Sequence, residues 1–301
     1  MRPHIEFIPS QWLPWDEAVL AAARPGVAAR VLSRDDADGA CSLVVRYPPG
    51  YARGPEALDA DEEFIVLQGA LEIDGVVYGR HDYAHLPRGL RRSGMMSRGG
   101  AEVLTFFSEA PLAHAGDGGA LPAADPARLV RRIDTRAMAG MQGPRRHMAS
   151  EGFNHGGTVH KLLFDDPLTH DKTWIAGLPP YWTCDTVERH PVCEEEFALA
   201  GDIHMPNGVM YEGAYFWRPA DVPHGPFGTL GGTIHLCRGK GGRYSTSFEP
   251  ATRPFRWDPP YEPILPPDYR QKGDGFIFGR NEKGTDLFSG RASPGGGSTG
   301  K

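Results

Sequence analysis

Displacing the sequence by 132 residues lays its first half on its second. Glu62 falls on Glu194, Gly69 on Gly201, Pro87 on Pro219 and Arg92 on His224, and Tyr47-Pro48-Pro49 comes within one residue of Leu178-Pro179-Pro180. Spacing shared by several landmarks marks an internal duplication, so the 301 residues read as two copies of one domain. Each copy is written in short strands. In the first, 40–47 and 63–67 are β-like and are followed by the turns Pro48-Pro49-Gly50 and Asp74-Gly75. In the second, 158–164, 173–178, 197–200, 213–219 and 232–238 read the same way. With 39 Gly and 28 Pro to break the chain between them, such strands predict an all-β sandwich or barrel.

The copies differ where polar residues gather. In the second, Glu188-Arg189-His190 leads through Pro191-Val192-Cys193 to Glu194, and the apolar run after it stops at Gly201-Asp202. Glu188 and His190 are two apart, and the period of two along a strand turns both to one face. A later strand-like stretch ends at Asp221-Val222-Pro223-His224 and delivers a further imidazole. Two imidazoles and a carboxylate, with Glu188 as a fourth group, are an N/O donor set suited to a divalent first-row metal. The competing reading makes Glu188 and 194–196 a solvated charge run and the histidines ordinary ones.

His190, three residues, Glu194, six residues, Gly201 resembles the first signature of the cupin family, with Glu188 standing where that family has its first histidine. Pro219-Ala220-Asp221-Val222-Pro223-His224 is similar to the second signature, with Asp221 in place of its glycine. The resemblance implies two tandem cupin barrels, double-stranded β-helices of jelly-roll type, as in a bicupin with one intact metal motif akin to ChrR-like cupins. It makes His190, Glu194 and His224 metal ligands, joined by Glu188. In the first copy the ligand positions read Glu56, Leu58, Glu62 and Arg92. A guanidinium cannot deprotonate to bind a metal, so the first barrel is expected to be metal-free, with Arg92 paired to Glu62. The boundaries expected are an N-terminal extension over 1–30 with a short helix or turn at 12–20, barrel 1 over 31–111, a linker over 112–157, barrel 2 over 158–250, and a Pro-rich C-terminal arm and tail over 251–301. His81 and His85 fall in a turn-like stretch outside the ligand positions.

Composition narrows the partners. A net charge of −6 with mixed signs provides no basic field for nucleic acid. No apolar run approaches the roughly 18 residues of a membrane span, and the N-terminus lacks the apolar core of a signal peptide, so the expected location is cytoplasmic. Four cysteines, Cys41, Cys184, Cys193 and Cys237, match no zinc spacing and are too sparse for a disulfide framework. The expected partner is a small-molecule substrate, with a homodimer left open.

The donor set resembles the facial triad of non-haem iron oxygenases, which puts iron first and leaves manganese, zinc, nickel and copper as alternatives. Dioxygenase-type chemistry on a small oxygenated organic molecule is therefore the expected activity, with Glu188 binding the metal or acting as base. The alternatives are a non-redox isomerase, lyase or decarboxylase, and a non-catalytic cupin that binds a metal or small ligand. On 232–238, His235 and Cys237 share one strand face, and His235 becomes a catalytic or substrate-contacting group if that face points inward.

Overall fold

The computed structural model describes residues 2–116, 118–119, 121–142, 157–266 and Tyr269. The chain is an all-β protein of two jelly-roll barrels, and among the described residues single-turn 3-10 helices lie at Ser10–Trp12 and Pro126–Arg128. No helix among the described residues is long and apolar enough to cross a membrane. The basic cluster at 145–147 and the C-terminal tail at 293–301 lie outside the described residues.

The first barrel is built on a six-stranded sheet in the order Val130–Asp134, Asp82–Leu86, Glu62–Gly69, Ala101–Phe107, Cys41–Tyr47, Ala28–Arg34. The second repeats it as Ile5–Pro9, Ala214–Arg218, Cys193–Met205, Thr233–Lys240, Lys172–Leu178, Val159–Asp165, with Met141–Gln142 at the end. The repeat holds to the level of single pairs. Glu62 lies opposite Phe107 and Glu194 opposite Gly239. Both strands turn at their glycine: Gly69 and Gly201 have φ of 73° and 79°, and a Cβ at either would strike the carbonyl of Gly100 or Gly232. Only glycine accepts that conformation at that approach, so the two glycines mark a backbone requirement of the fold.

Strand pairing crosses the boundaries expected from the sequence. Ile5–Pro9, within the supposed extension, covers the edge strand Ala214–Arg218 of the second barrel. Val130–Asp134, within the supposed linker, covers Asp82–Leu86 of the first, and Ala113–Ala115 pairs with Glu56–Leu58. Each added strand satisfies backbone groups that a bare edge would leave open. The helix or turn expected over 12–20 resolves as a 3-10 turn at Ser10–Trp12 followed by an isolated bridge from Asp16 to Ala29, because the backbone groups of Asp16 bond across to Ala29. His85 lies in a strand, buried, with Nδ1 2.7 Å from the Arg128 carbonyl.

Alternation supplies two cores per barrel. Inward residues such as Leu43, Val45, Phe64, Val66 and Val103 fill the first barrel. Their outward neighbours Val44, Ile65 and Leu104 pack against Phe197, Leu199, Tyr215 and Leu236 of the second, joining the barrels by an apolar face. Buried charges are paired within this interface: Arg238 Nε donates to Glu63 at 2.9 Å and its Nη1 to Glu195. Tyr215 and Ser42 also donate to Glu195, at 2.7 and 2.6 Å. The run Glu194-Glu195-Glu196 is therefore no solvated charge run. Glu194 and Glu195 are buried at 4% and 1% exposure, and neighbours along the strand face opposite sides.

Candidate metal centre

Backbone pairing brings the two motif segments together. Glu188 N donates to His224 O at 2.8 Å and His224 N to Glu188 O at 3.0 Å. The first barrel has the same bridge between Glu56 and Arg92, at 3.0 and 2.9 Å. Glu188 sits near the end of Thr186–Arg189 and His190 just past it, while Glu194 projects inward from Cys193–Met205. All four side chains expected to act together converge.

The imidazoles are oriented by the backbone. His190 Nδ1 lies 3.0 Å from the Ser245 carbonyl and His224 Nδ1 3.1 Å from the Val222 carbonyl. A carbonyl only accepts, so each Nδ1 carries a proton and each Nε2 is the nitrogen that points inward. The two Nε2 atoms stand 3.3 Å apart. Glu188 reaches both with a single oxygen, Oε2, at 3.9 and 4.0 Å. Glu194 reaches His190 with Oε1 at 3.4 Å and His224 with Oε2 at 3.5 Å. One ligand atom from each of Glu188, His190 and His224 lies within 4.8 Å of the others. Adjacent ligands on a first-row metal with bonds of about 2.1 Å are roughly 3–3.4 Å apart, so a small inward adjustment would suit the set to such an ion.

Three further residues shape the centre. Arg218 Nη1 lies 3.3 Å from Glu194 Oε2, and its other nitrogens bond the carboxylate of Glu6 on the N-terminal strand. The Tyr244 hydroxyl donates to Glu194 Oε1 at 2.9 Å, lies 3.0 Å from His190 Nε2, and its ring stacks on that imidazole at 4.4 Å. Both oxygens of Glu194 are therefore held. Burial, then the nearby carboxylates Glu194 and Glu196, push Glu188 up to about 8. Burial, then the Arg218 cation, drive His224 down to about 4, which keeps it a neutral donor. Tyr244, Arg218 and Glu6 carry no motif spacing, and sequence reading missed them.

The first barrel fills the equivalent place with protein charge. Arg92 Nη1 bonds Glu62 Oε2, as the repeat implies. A second guanidinium, Arg24, comes from outside the repeated landmarks. It is fully buried and spans Glu56 Oε1 at 2.5 Å and Glu62 Oε2 at 3.0 Å. Two carboxylates meet three guanidiniums there, since Arg53 also bonds Glu56 Oε2 at 3.1 and 3.2 Å; burial opposes ionisation of Glu62, but Arg92 and Arg24 hold it below the ordinary carboxylate range.

The second barrel's donor set opens on a cavity of about 560 Å³. Glu188, Glu194 and His224 line one part of it, Glu196, His235 and Cys237 another, and Trp174, Trp182, Phe216 and Phe227 supply apolar wall. The inward placement of His235 answers the question its strand left open. Tyr215 turns away from that wall to the barrel interface, where its hydroxyl bonds Glu195. Trp217 packs in the same interface cluster.

The model of a domain of unknown function, DUF4437, matches residues 12–246. The chain belongs to the DUF4437 family. No curated protein matches its sequence. Among solved structures, this DUF4437 chain is similar to a putative dioxygenase from Nostoc punctiforme, with a TM-score of 0.71 at 15% identity over 84% of this chain and 92% of that one. It is also similar to a variant of the Bacillus subtilis oxalate decarboxylase, with a TM-score of 0.51 at 13% identity over 80% of this chain and 78% of the other. At such identities the likeness is one of fold alone.

Proposed function

We propose that this protein is a metal-dependent cupin enzyme with one divalent ion per chain, held in the second barrel by His190, His224 and Glu194, with Glu188 as a fourth ligand or as base. The observation that carries this reading is the pair of Nε2 lone pairs 3.3 Å apart, each fixed inward by a backbone carbonyl on the opposite ring nitrogen. Two acceptors aimed at one point repel unless a cation lies between them. The neighbouring carboxylates supply the matching negative charge, and a set of two imidazoles and carboxylate oxygen favours iron among the first-row metals.

A bound ion would supply Lewis-acid polarisation of a coordinated oxygen or, with dioxygen as the oxidant, redox chemistry. The chain's own residues do the rest. Arg218 and Tyr244 hold Glu194 in place, the aromatic wall excludes water from an apolar substrate body, and Glu188, kept protonatable by its burial, exchanges a proton with a group bound beside it. Dioxygenase-type chemistry on a small oxygenated organic compound is the reading preferred on the donor set; non-redox isomerase, lyase or decarboxylase chemistry is the alternative on the same site.

The test is elemental analysis of full-length protein produced without added metal and then exposed to iron or manganese. About one ion per chain is expected, and its loss from His190→Ala/His224→Ala. Stoichiometric metal in that double variant would overturn the assignment.

A further inference from the structure

The duplication provides an internal control for the deeper part of the cavity. In the first barrel, one inward row across the sheet reads Ala29, Val45, Val103, Val66 and the next Val31, Leu43, Thr105, Phe64. At the same register positions the second barrel has His160, Ala176, His235, Ala198 and then Leu162, Trp174, Cys237, Glu196. The fold itself is satisfied by apolar side chains there: Leu43, Val45, Phe64, Val66 and Val103 form part of the first barrel's continuous core. In the second barrel Val45 and Val66 are replaced by Ala176 and Ala198, Ala29 and Leu43 by the larger His160 and Trp174, and a valine and a phenylalanine by His235 and Glu196. Burying an imidazole and a carboxylate costs free energy that the sister barrel shows to be unnecessary for folding.

The two polar groups are organised. His235 Nδ1 lies 2.7 Å from Glu196 Oε2, and the Cys237 thiol donates to Glu196 Oε1 at 3.3 Å. With Nδ1 turned to the carboxylate, Nε2 is the ring nitrogen left to face the cavity. That atom is buried and has no hydrogen-bond partner, and the residue, at 3% exposure, lines the cavity. Glu194 and Ala198 bracket Glu196 on one strand, so this cluster lies one to two pleats, about 7–13 Å of backbone, from the donor set.

We propose that Glu196 and His235 form a second pole of the binding site, at which Nε2 of His235 accepts a hydrogen bond from an O–H or N–H group of the bound molecule. This deepens the metal-enzyme reading and rests on it for orientation. The substrate class is then a compound with an apolar, aromatic-sized body, oxygens directed to the Glu188/His190/His224 end, and a hydrogen-bond donor at the far end. Glu196 fixes the ring nitrogen that faces the substrate and is a positioning residue.

The experiment needs no metal, so its result is separable from the metal assignment. Phenol, which has a donor, and toluene, which has none, are titrated into the metal-free full chain, with ¹⁵N resonances of the histidine rings as readout. The expected results are an unprotonated Nε2 on His235 in the free protein, a shift of that resonance with phenol, and none with toluene. In His235→Phe, which keeps a ring of similar size but has no nitrogen to accept, phenol affinity should fall about 3- to 10-fold and toluene affinity should not fall. A His235 Nε2 that is protonated at rest, or unmoved at the highest phenol concentration, overturns the proposal on the native protein alone. So does a His235→Phe variant that keeps the full affinity for phenol.

Discussion

Glu188 is the residue at which this site departs from the cupin pattern, and its two roles separate by measurement. Its single oxygen equidistant from both imidazoles suits a ligand, and its raised pKa suits a proton carrier. If it binds, Glu188→Gln weakens metal affinity about 10- to 100-fold; if it acts as base, affinity survives while turnover falls about 10²- to 10⁴-fold. Titrating metal into the variant decides between them, and a variant unchanged in both would return Glu188 to a structural role. The residue scale also separates the two arginines of the first barrel. Arg24 spans both carboxylates, whereas Arg92 holds Glu62 alone by its side chain; Glu62 keeps the fully buried Arg24 when Arg92 is lost, while Glu56 keeps only the more exposed Arg53 when Arg24 is lost. Arg24→Met should therefore cost about 3–5 kcal/mol of stability, and Arg92→Met less. Equal losses in denaturant titrations would mean that these charges do not act as described.

Among elements, the N-terminal strand has the least expected part. Ile5–Pro9 seals an edge of the second barrel and carries Glu6, which shares Arg218 with Glu194. Burial raises the Glu6 pKa, but Arg218 outweighs it and holds the group at about 2. Removing that charge leaves Arg218 to neutralise Glu194 by itself, and a neutralised carboxylate is a poorer ligand. Glu6→Gln should thus weaken metal binding about tenfold. Calorimetry of metal addition checks it, and unchanged affinity would show that Arg218 does not compete for Glu194. The segment after Thr233–Lys240 acts in the same way: Tyr244 stacks on His190, and the Ser245 carbonyl sets that ring's tautomer.

At the scale of the whole molecule, two copies of one barrel have divided the work, one neutral and packed, one open and chemically equipped. They are held together by a shared apolar face with ion pairs inside it. Glu63 is the group whose titration tests that interface. Its burial favours the neutral form, but the Arg238 guanidinium prevails and holds its pKa at about 2 against an ordinary 4.5. A depressed carboxylate stabilises the fold fully above its unfolded pKa, and this contribution is lost as pH falls through the folded value. Melting temperature should therefore fall between about pH 4.5 and 2, and less steeply in Glu63→Gln. Parallel profiles for the two proteins would count against an ionised Glu63 in the interface.

How much of this was legible beforehand follows from what a linear pattern can encode. The 132-residue displacement, the turn glycines and the alternation of apolar residues are local or periodic, and they carry the all-β class, the duplication and the shared face of Glu188 and His190, while the resemblance to the cupin signatures grouped these with Glu194 and His224. The same pattern placed His235 and Cys237 on one strand face without saying whether that face was inside, because a period of two is blind to the choice of side. Closure of the sheet decided it. Arg24, Glu6, Arg218 and Tyr244 could not be found by spacing, since each acts through a partner from another strand or the far end of the chain, as Glu6 does across 212 residues to Arg218. Periodicity determines which side chains share a face, and only the packing of sheet on sheet and strand on edge determines which charges meet when water is excluded.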